Sequence, residues 1–285
     1  MNITQFLLAH EPALRLGSFA LVLTLLAGAE RVWPARGDAR PARRQGANLA
    51  LMALNTGLLR VAFPVLAVGV AMQIHARGGG AFGLLGWPAW AEILLTVLLF
   101  DLTIYWQHRA LHIIAPLWRL HRVHHSDIAF DVTLGVRFHP LEIVLSMVVK
   151  LAFVAMLGAP AVAVVIAEVL LAASSLFNHA DFAFHPRWER ALRAVLVTPS
   201  MHRVHHSVLR EETNSNFGFL LSGWDRLFGS YRDQSLRPER SMPIGLEPWR
   251  LPAQLTFVAL LLQPFARVPP APVTISPPST DDTDA

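Results

Sequence analysis

The six-residue sequence HRVHHS occurs at residues 121–126 and again at 202–207. A third cluster, HRALH, places two more histidines four residues apart, and residues three or four positions apart share one face of a helix. Neutral imidazole is a common ligand for iron, zinc, copper and nickel. The three clusters together contain His108, His112, His121, His124, His125, His202, His205 and His206. Eight imidazoles are too many for one ion and suit two ions with four or five ligands each.

The residues around the two copies of HRVHHS show no similarity to each other, which favours a shared chemical demand over internal duplication. The chain has no cysteine, so a thiolate zinc site and a cysteine-held iron–sulfur cluster are excluded. The HExxH pattern of zinc proteases and the Glu-x-x-His pairs of soluble di-iron bundles are also absent. A pair of irons held by histidines beside a membrane remains. The isolated His10 and His75 are interpreted as ordinary surface or hydrogen-bonded residues.

The composition is that of an integral membrane protein. Apolar residues make up 53% of the 285 residues and charged residues only 15%, against about 25% charged residues in a typical soluble domain. Mean hydropathy is +0.42. The net charge of +4 is small and dispersed, which gives no indication of a nucleic-acid partner.

Apolar runs predict the elements that must position the histidines, because a spanning helix needs roughly 20 apolar residues. The predicted spans are 12–30, 48–74 with Arg60 and Pro64 inside it, 86–107, and a hairpin of 141–157 and 160–177 broken near Gly158 and Pro160. Residues 251–265 are too short to span and are interpreted as an interfacial or packing helix. The predicted fold is an all-α integral membrane helical bundle with about four to five membrane segments and a histidine-rich helical cap.

Charge orients this bundle. The segment after the first span carries Arg31, Arg36, Arg40, Arg43 and Arg44, whereas the segment after the second carries only Arg77. The positive-inside rule therefore puts the first segment in the cytoplasm. Counting the crossings from there places every histidine cluster on the cytoplasmic face, so the cap is predicted to be cytoplasmic.

The order of the clusters resembles the fatty acid hydroxylase / sterol desaturase superfamily. The resemblance rests on DLTIYWQHRALH, HRVHHSD, RFHPLE, FNHADF, TPSMHRVHHS, NSNFG and WDRLFGSY, and covers about 85–232, roughly half of the chain. It implies a membrane di-iron enzyme that uses O2 to hydroxylate or desaturate a membrane lipid, either sterol-like or fatty acyl. It also implies His179 as a ninth ligand, and electrons from a separate protein such as a ferredoxin, a cytochrome or a flavoprotein reductase.

The resulting division of the chain has four parts. They are N-terminal membrane helices at 1–84, the di-iron domain at 85–232, a C-terminal amphipathic segment at 233–268, and a Pro-, Ser-, Thr- and Asp-rich disordered tail at 269–285.

Other polar residues are candidates for catalysis or for orienting the ligands, since ligating histidines usually donate their second N–H to a carboxylate or carbonyl. Asp101 shares a helix face with His108, and Asn178, beside His179, could hold a water on a metal; both are predicted as catalytic. A helix–helix hydrogen bond is the alternative for Asp101. Weaker candidates are Tyr105, Asp131, Glu142, Asp181 and Asp225.

Some residues keep two interpretations. His139 is a ligand or a partner of one, and His185 is structural or peripheral. Arg109, Arg122 and Arg203 either pair with acidic groups or phosphates or lie on a solvated face. Ser126 and Ser207 are predicted as caps or hydrogen-bond partners rather than nucleophiles.

Competing functions remain. Hydroxylase and desaturase differ in how the substrate C–H is placed, which the sequence does not reveal. A metal transporter would hold its ligands near the bilayer midplane, and a bis-histidine haem protein would need paired histidines within two or more spans. Most histidines here follow a span instead. A catalytically dead scaffold does not fit the intact set of candidate ligands.

Overall fold

The computed structural model describes residues 3–63 and 65–267. Within these ranges the chain is helical and has isolated β-bridges but no strands. In chain order the α-helices are α1 (Ile3–Ala9), α2 (Glu11–Val32), α3 (Ala42–Ala62), α4 (Ala67–His75), α5 (Gly80–Leu85), α6 (Ala89–Ile113), α7 (Ala115–His125), α8 (Pro140–Leu157), α9 (Ala161–Asn178), α10 (Pro186–Arg193), α11 (Pro199–His205), α12 (Arg210–Thr213), α13 (Gly223–Leu227) and α14 (Phe257–Leu262). Short 3-10 helices cover Val132–Val136, Pro252–Leu255 and Gln263–Phe265.

Five stretches of helix are long and apolar enough to cross a membrane: Glu11–Val32, Ala42–Leu85, Ala89–Ile113, Pro140–Leu157 and Ala161–Asn178. The predicted all-α bundle is therefore confirmed. The predicted hairpin is also confirmed, with its turn at Gly158. The disordered tail predicted at 269–285 lies outside the described residues.

The prediction of one continuous helix over 48–74 is wrong. Helix α3 ends at Ala62 and α4 begins at Ala67. Proline disfavours the helical conformation of the residue before it, and Phe63, which precedes Pro64, adopts φ −127° and ψ 89°. The apolar residues continue past this proline in the sequence, but the helix ends before it.

Tryptophans mark the two ends of the span in α6. Trp90 is 70% exposed and Trp106 is 46% exposed, and the offset of 16 positions between them corresponds to roughly 24 Å of helix axis. Tryptophan is enriched at both membrane–water interfaces, and a hydrocarbon core is about 30 Å thick. The spacing fits one crossing, and it puts His108 and His112 just beyond the second tryptophan.

Helix α9 lies at the centre of the bundle. Its Val164 and Ala167 are buried in one apolar cluster with Phe100 and Ile104 of α6 and Phe153 of α8. The C-terminal segment packs on the same body, because Leu260 of α14 is buried against Leu51 of α3 and Val123 of α7. The predicted packing role of residues 251–265 agrees with this arrangement.

A buried ion network joins the N-terminal arginine segment to the chain that follows the first HRVHHS copy. Arg44 donates to Asp127 Oδ1 at 2.7 Å, to the Ala129 carbonyl at 3.0 Å and to Asp131. Arg137 donates to Asp127 Oδ2 from the other side at 3.2 Å. Burial raises the pKa of the Asp127 carboxyl, but Arg137 and Arg44 more than offset this and lower it below its ordinary value. The carboxylate thus stays ionised between two cations.

A second set of long-range hydrogen bonds starts from the end of α2. Glu30 Oε1 accepts the backbone N–H of Val132 at 2.6 Å and that of Asp181 at 2.8 Å. Arg40 adds to these contacts by donating to Asp181 Oδ2 at 2.8 Å. The arginines that were counted for orientation thus also hold the histidine-bearing part of the chain against the first three helices.

We expect Gly158→Ala to destabilise the protein. Gly158 adopts φ +69° at the end of α8, and an added Cβ would lie 2.1 Å from the Gly79 carbonyl oxygen. A left-handed alanine alone costs about 1–2 kcal/mol, so the midpoint of unfolding in detergent should fall. Gly17→Ala is the control, because Gly17 is helical with no atom within 4 Å of an added Cβ. Equal midpoints for the two variants would contradict the packing of this turn.

Candidate metal centre

The structure brings all nine predicted histidine ligands together in two buried groups. Within each group the candidate ligand atoms lie within 4.8 Å of one another. One group has five members, His108, His112, His121, His125 and His205, and the other has four, His124, His179, His202 and His206. We call these the five-histidine group and the four-histidine group.

Each HRVHHS copy serves both groups. In the first copy, His121 and His125 join the five-histidine group, while His124 points into the four-histidine group. The second copy does the reverse, so that His205 is its single contribution to the five-histidine group and His202 and His206 join the other. Helices α7 and α11 therefore present the same spacing to opposite sides of one paired centre.

In the four-histidine group the ring nitrogens converge on one another. The Nε2 atom of His179 lies 3.0 Å from Nε2 of His124, 3.0 Å from Nε2 of His202 and 3.1 Å from Nε2 of His206. The Nδ1 atoms of His179 and His124 face the Ser175 carbonyl at 2.6 Å and the Arg137 carbonyl at 3.2 Å. A carbonyl only accepts, so these two rings carry their proton on Nδ1 and present a lone pair at Nε2.

The five-histidine group repeats this arrangement. Nδ1 of His108 donates to the Phe217 carbonyl at 2.8 Å, and Nδ1 of His205 donates to the Ser215 carbonyl at 2.7 Å. His121 donates to Glu142 Oε1 at 2.7 Å. The Nε2 atoms of His121 and His205 are buried and have no partner among the described residues. Buried polar atoms without a partner are unfavourable, and a cation bound between the rings would satisfy them.

Burial keeps these rings neutral. It lowers the pKa of His179 to about 4 and that of His205 to about 3. The pKa values of His124, His125, His202 and His206 lie well below the ordinary value for the same reason, reinforced by neighbouring rings. At neutral pH these six imidazoles are uncharged, which is the form that binds a metal. The donor set fits metal ions with a preference for nitrogen ligands.

A loop between α12 and α13 supplies two of the orienting carbonyls, those of Ser215 and Phe217. Asp225 holds this loop by accepting Phe217 N–H at 2.7 Å and Gly218 N–H at 2.8 Å. Asp225 also accepts from the Ser230 hydroxyl at 2.7 Å, and that hydroxyl lies 2.8 Å from Tyr105 Oη. Asp225 and Tyr105, two of the weaker candidates, therefore act on the histidines through this loop.

Asp101 of α6 and Asn178 of α9 hydrogen-bond to the same loop, further along its chain. Asp101 accepts the N–H groups of Leu220 and Leu221 at 3.0 Å each and the indole N–H of Trp224 at 2.8 Å. Asn178 donates to the Phe219 carbonyl at 2.7 Å. Their described hydrogen bonds go to this loop and not to a histidine, which suits positioning. A catalytic role for either remains a prediction.

The remaining candidates have structural partners. His139 caps α8 by accepting Leu141 N–H, and the exposed His185 caps α10. Neither belongs to a histidine group. His10 and His75 face backbone carbonyls, as interpreted from the sequence. Asp131 and Asp181 bind arginines of the N-terminal segment.

The second residue of each HRVHHS copy reaches the C-terminal part of the chain. Arg122 donates to the carbonyls of Gln263 and Ala266, and Arg203 pairs with Glu239. Arg109, by contrast, lies over the ring of Trp106. The serines hydrogen-bond locally: Ser126 donates to the Val123 carbonyl and Ser207 accepts Leu209 N–H. These serine contacts agree with the predicted cap and hydrogen-bond roles.

Sequence reasoning missed Arg137 and Asn216. Arg137 is fully buried, its carbonyl orients His124, and its guanidinium is bound by Asp127. Asn216 adopts φ +53° and fixes the loop by bonding to the Met201 and Arg232 carbonyls. The motifs RFHPLE and NSNFG contain these residues, but a spacing of histidines gives no signal for them.

A cavity of about 300 Å³ adjoins the five-histidine group. His108 and His121 line one end of it, and helices α2, α3, α6, α8 and α9 form its walls. These helices belong to the candidate membrane spans, so the cavity lies between those spans and beside the histidines.

Comparison with known proteins agrees with this geometry. Residues 93–230 match the fatty acid hydroxylase family. An ornithine lipid hydroxylase of Rhizobium tropici is 30% identical over 181 residues, which is 64% of this chain and 52% of that protein. The alkylglycerol monooxygenase of Danio rerio is 30% identical over 52% of this chain and 31% of its own length, and that of Homo sapiens is 27% identical over 47% and 29%.

The chain thus spans about half of the first relative and under a third of these two monooxygenases. No solved structure shows a significant match. The matched region contains every histidine of the two groups and both copies of HRVHHS. Through this region the chain belongs to the fatty acid hydroxylase / sterol desaturase superfamily.

Proposed function

We propose that this chain is an O2-dependent oxygenase that hydroxylates an unactivated C–H bond of a membrane lipid, using two iron ions held by the nine histidines. The observation that carries the proposal is the pair of buried neutral histidine groups beside a cavity between candidate membrane helices. Membership of the superfamily and the names of the relatives, lipid hydroxylase and monooxygenase, support it.

The chain's own residues would hold and orient the centre. The five-histidine group would bind one iron and the four-histidine group the other, and the irons would supply O2 activation. The carbonyls of Ser175, Ser215 and Phe217 fix the rings through Nδ1. Glu142 retains the Nδ1 proton of His121, which aims Nε2 of that ring at the five-histidine group. Burial of all nine rings excludes bulk water from the reaction.

The reaction needs an outside reductant. One oxygen atom of O2 enters the C–H bond as a hydroxyl group and the other leaves as water, with two electrons and two protons supplied from elsewhere. A separate ferredoxin, cytochrome or flavoprotein reductase would deliver the electrons. The arginine segment after α2 supports a cytoplasmic orientation of the histidines, where such donors are found. Desaturation of the same C–H is the alternative outcome.

The function is tested with protein purified without O2, loaded with iron and supplied with a chemical reductant, ¹⁸O2 and a total membrane lipid extract. A lipid product that carries one ¹⁸O atom is expected. Products with an added double bond and no label would indicate desaturation. Zinc as the only bound metal, or an iron-loaded protein that consumes O2 without altering any lipid, would contradict the proposal.

Single-histidine variants should remove the irons one at a time. His112→Ala should lower iron by about one ion per chain, because only the five-histidine group loses a ligand, and His179→Ala should do the same for the four-histidine group. Both should abolish hydroxylation. His185→Ala is the control, since that exposed ring caps α10 and should leave iron content and activity unchanged. Iron that stays at two ions in His112→Ala and His179→Ala would argue against the assignment.

Asp225→Asn should weaken metal binding without touching a ligand. The change converts an acceptor of two loop N–H groups into an amide, which loosens the carbonyls that orient His108 and His205. Loss of an outer partner typically costs about 10- to 100-fold in metal affinity or activity. Chelator competition should locate the loss in the five-histidine group. Asp101→Asn should act in the same direction, whereas Asp233→Asn, at an exposed carboxylate, should have no effect.

A further inference from the structure

The cavity beside the five-histidine group is lined by ionisable residues both near the histidines and away from them. Along α8 it is lined by Glu142, Ser146 and Lys150, which share one helix face. Glu142 contacts His121, so this end lies at the histidines. Lys150 follows eight residues later, roughly 12 Å along the helix axis. The far end is therefore within the candidate membrane span and away from the histidines.

Ion pairs close the far end. Glu168 of α9 lies 2.9 Å from Arg15 Nη1 and 3.2 Å from Lys150 Nζ, and Arg15 also pairs with Glu11 at 2.7 Å. The Glu168 side chain is 4% exposed. We call Arg15, Lys150 and Glu168 the ion cluster; all three line the cavity. Ionisable residues inside a membrane span are rare and mark functional sites when they face a cavity.

The charges of the ion cluster restrict what can bind there. With Glu11 included, two cations and two carboxylates balance. An anionic ligand leaves an excess negative charge in a buried place and a cationic ligand leaves an excess positive charge, both of which are unfavourable. A ligand that carries both charges can exchange partners, with its anion against Arg15 and Lys150 and its ammonium against Glu168, and it leaves the cluster neutral.

A second observation also indicates a polar ligand. Asn55 Oδ1 and Glu142 Oε2 belong to buried residues that line the cavity, and neither atom has a partner among the described residues. The Asn55 amide nitrogen donates to the Phe138 carbonyl, which fixes the free atom as an acceptor. Both acceptors lie towards the histidine end, where a hydroxyl or N–H group of the ligand would satisfy them.

We propose that the cavity selects a lipid whose polar group is zwitterionic, with an ammonium and an anionic group bound by the ion cluster. The inference rests on the proposed function only in taking this cavity as the substrate cavity. The charged end of the lipid then lies roughly 12 Å from Glu142. The distance between the ion cluster and the five-histidine group sets which carbon reaches the centre.

The test is equilibrium binding to the iron-loaded protein in detergent, without O2 or reductant. Three probes share one acyl chain: lysophosphatidylethanolamine, which is zwitterionic, its anionic N-acetyl derivative, and the uncharged monoacylglycerol. The zwitterion is expected to bind about tenfold more tightly than either of the others. Equal affinities, tighter binding of the monoacylglycerol, or no binding of any probe would show that the ion cluster only joins helices.

Charge variants sharpen the test. Glu168→Gln leaves an excess cation and should reverse the preference, so that the N-acetyl lipid binds at least as tightly as the zwitterion. Lys150→Met should reduce zwitterion binding while leaving the monoacylglycerol unaffected. Arg60→Met is the matched control, because it removes an exposed cation of α3 that does not line the cavity. If folded Glu168→Gln and Lys150→Met both keep the preference of the unaltered protein for the zwitterion, the inference is overturned. If only one of them folds, an unchanged preference in that variant has the same meaning.

Binding and turnover separate the two proposals. Selective binding of the zwitterion without any hydroxylated product refutes the proposed function and leaves this inference standing. Hydroxylation of the three probes at equal rates, with equal affinities, refutes this inference and leaves the proposed function standing.

Discussion

The structure depends on one electrostatic constraint: several neutral imidazoles point their lone pairs at one another in a buried space. Around His179, three other Nε2 atoms lie within about 3 Å. His124 and His179 carry their protons on Nδ1, so their facing Nε2 lone pairs repel at this distance. A bound cation would relieve that repulsion, and the rings need rigid support from behind. For His108, His121, His124, His179 and His205 the support is supplied at Nδ1, where carbonyls and Glu142 hold the protons and fix the rings. Much of the surrounding fold keeps those acceptors in place.

The two copies of HRVHHS meet this constraint together. Because each helix gives two rings to one group and one ring to the other, neither group belongs to a single element. A shift of α7 would change both groups at once. Arg122 and Arg203, at equivalent positions, anchor the two helices to the C-terminal part of the chain. The repeat thus reflects a near-symmetric demand on two helices, with His108 and His112 added on one side and His179 on the other.

The sequence predicts which histidines lie near one another, because a spacing of three or four places side chains on one side of a helix. It does not reveal that each HRVHHS copy divides its rings between two groups. It also predicts the hairpin at Gly158, where a glycine and a proline interrupt a long apolar run. The predicted span at 48–74 lies within a candidate membrane span, but its helix is not continuous, because hydropathy does not register the backbone restriction that Pro64 imposes on Phe63.

Hydrogen-bond partners that are distant in the sequence could not be predicted, for a different reason. Asp101 shares a face with His108 along α6, yet its carboxylate binds a loop 119 residues away in the sequence. Arg137 carries no pattern that singles it out, and its value comes from a carbonyl that any residue possesses. Spacing within one helix is encoded locally, whereas the choice of a hydrogen-bond partner depends on how the whole chain folds.

The ion network of Arg44 and the hydrogen bonds of Glu30 determine which part of the chain must fold together. The segment that matches the family begins at residue 93, but two of its buried carboxylates, Asp127 and Asp131, are neutralised by an arginine far upstream. Cutting the chain at the family boundary would remove the arginine that pairs with Asp131 and leave Asp127 with Arg137 alone. The segment that matches the family and the segment that must fold together therefore have different borders. Exchange of segments between relatives would have to carry the first three helices along with the histidines.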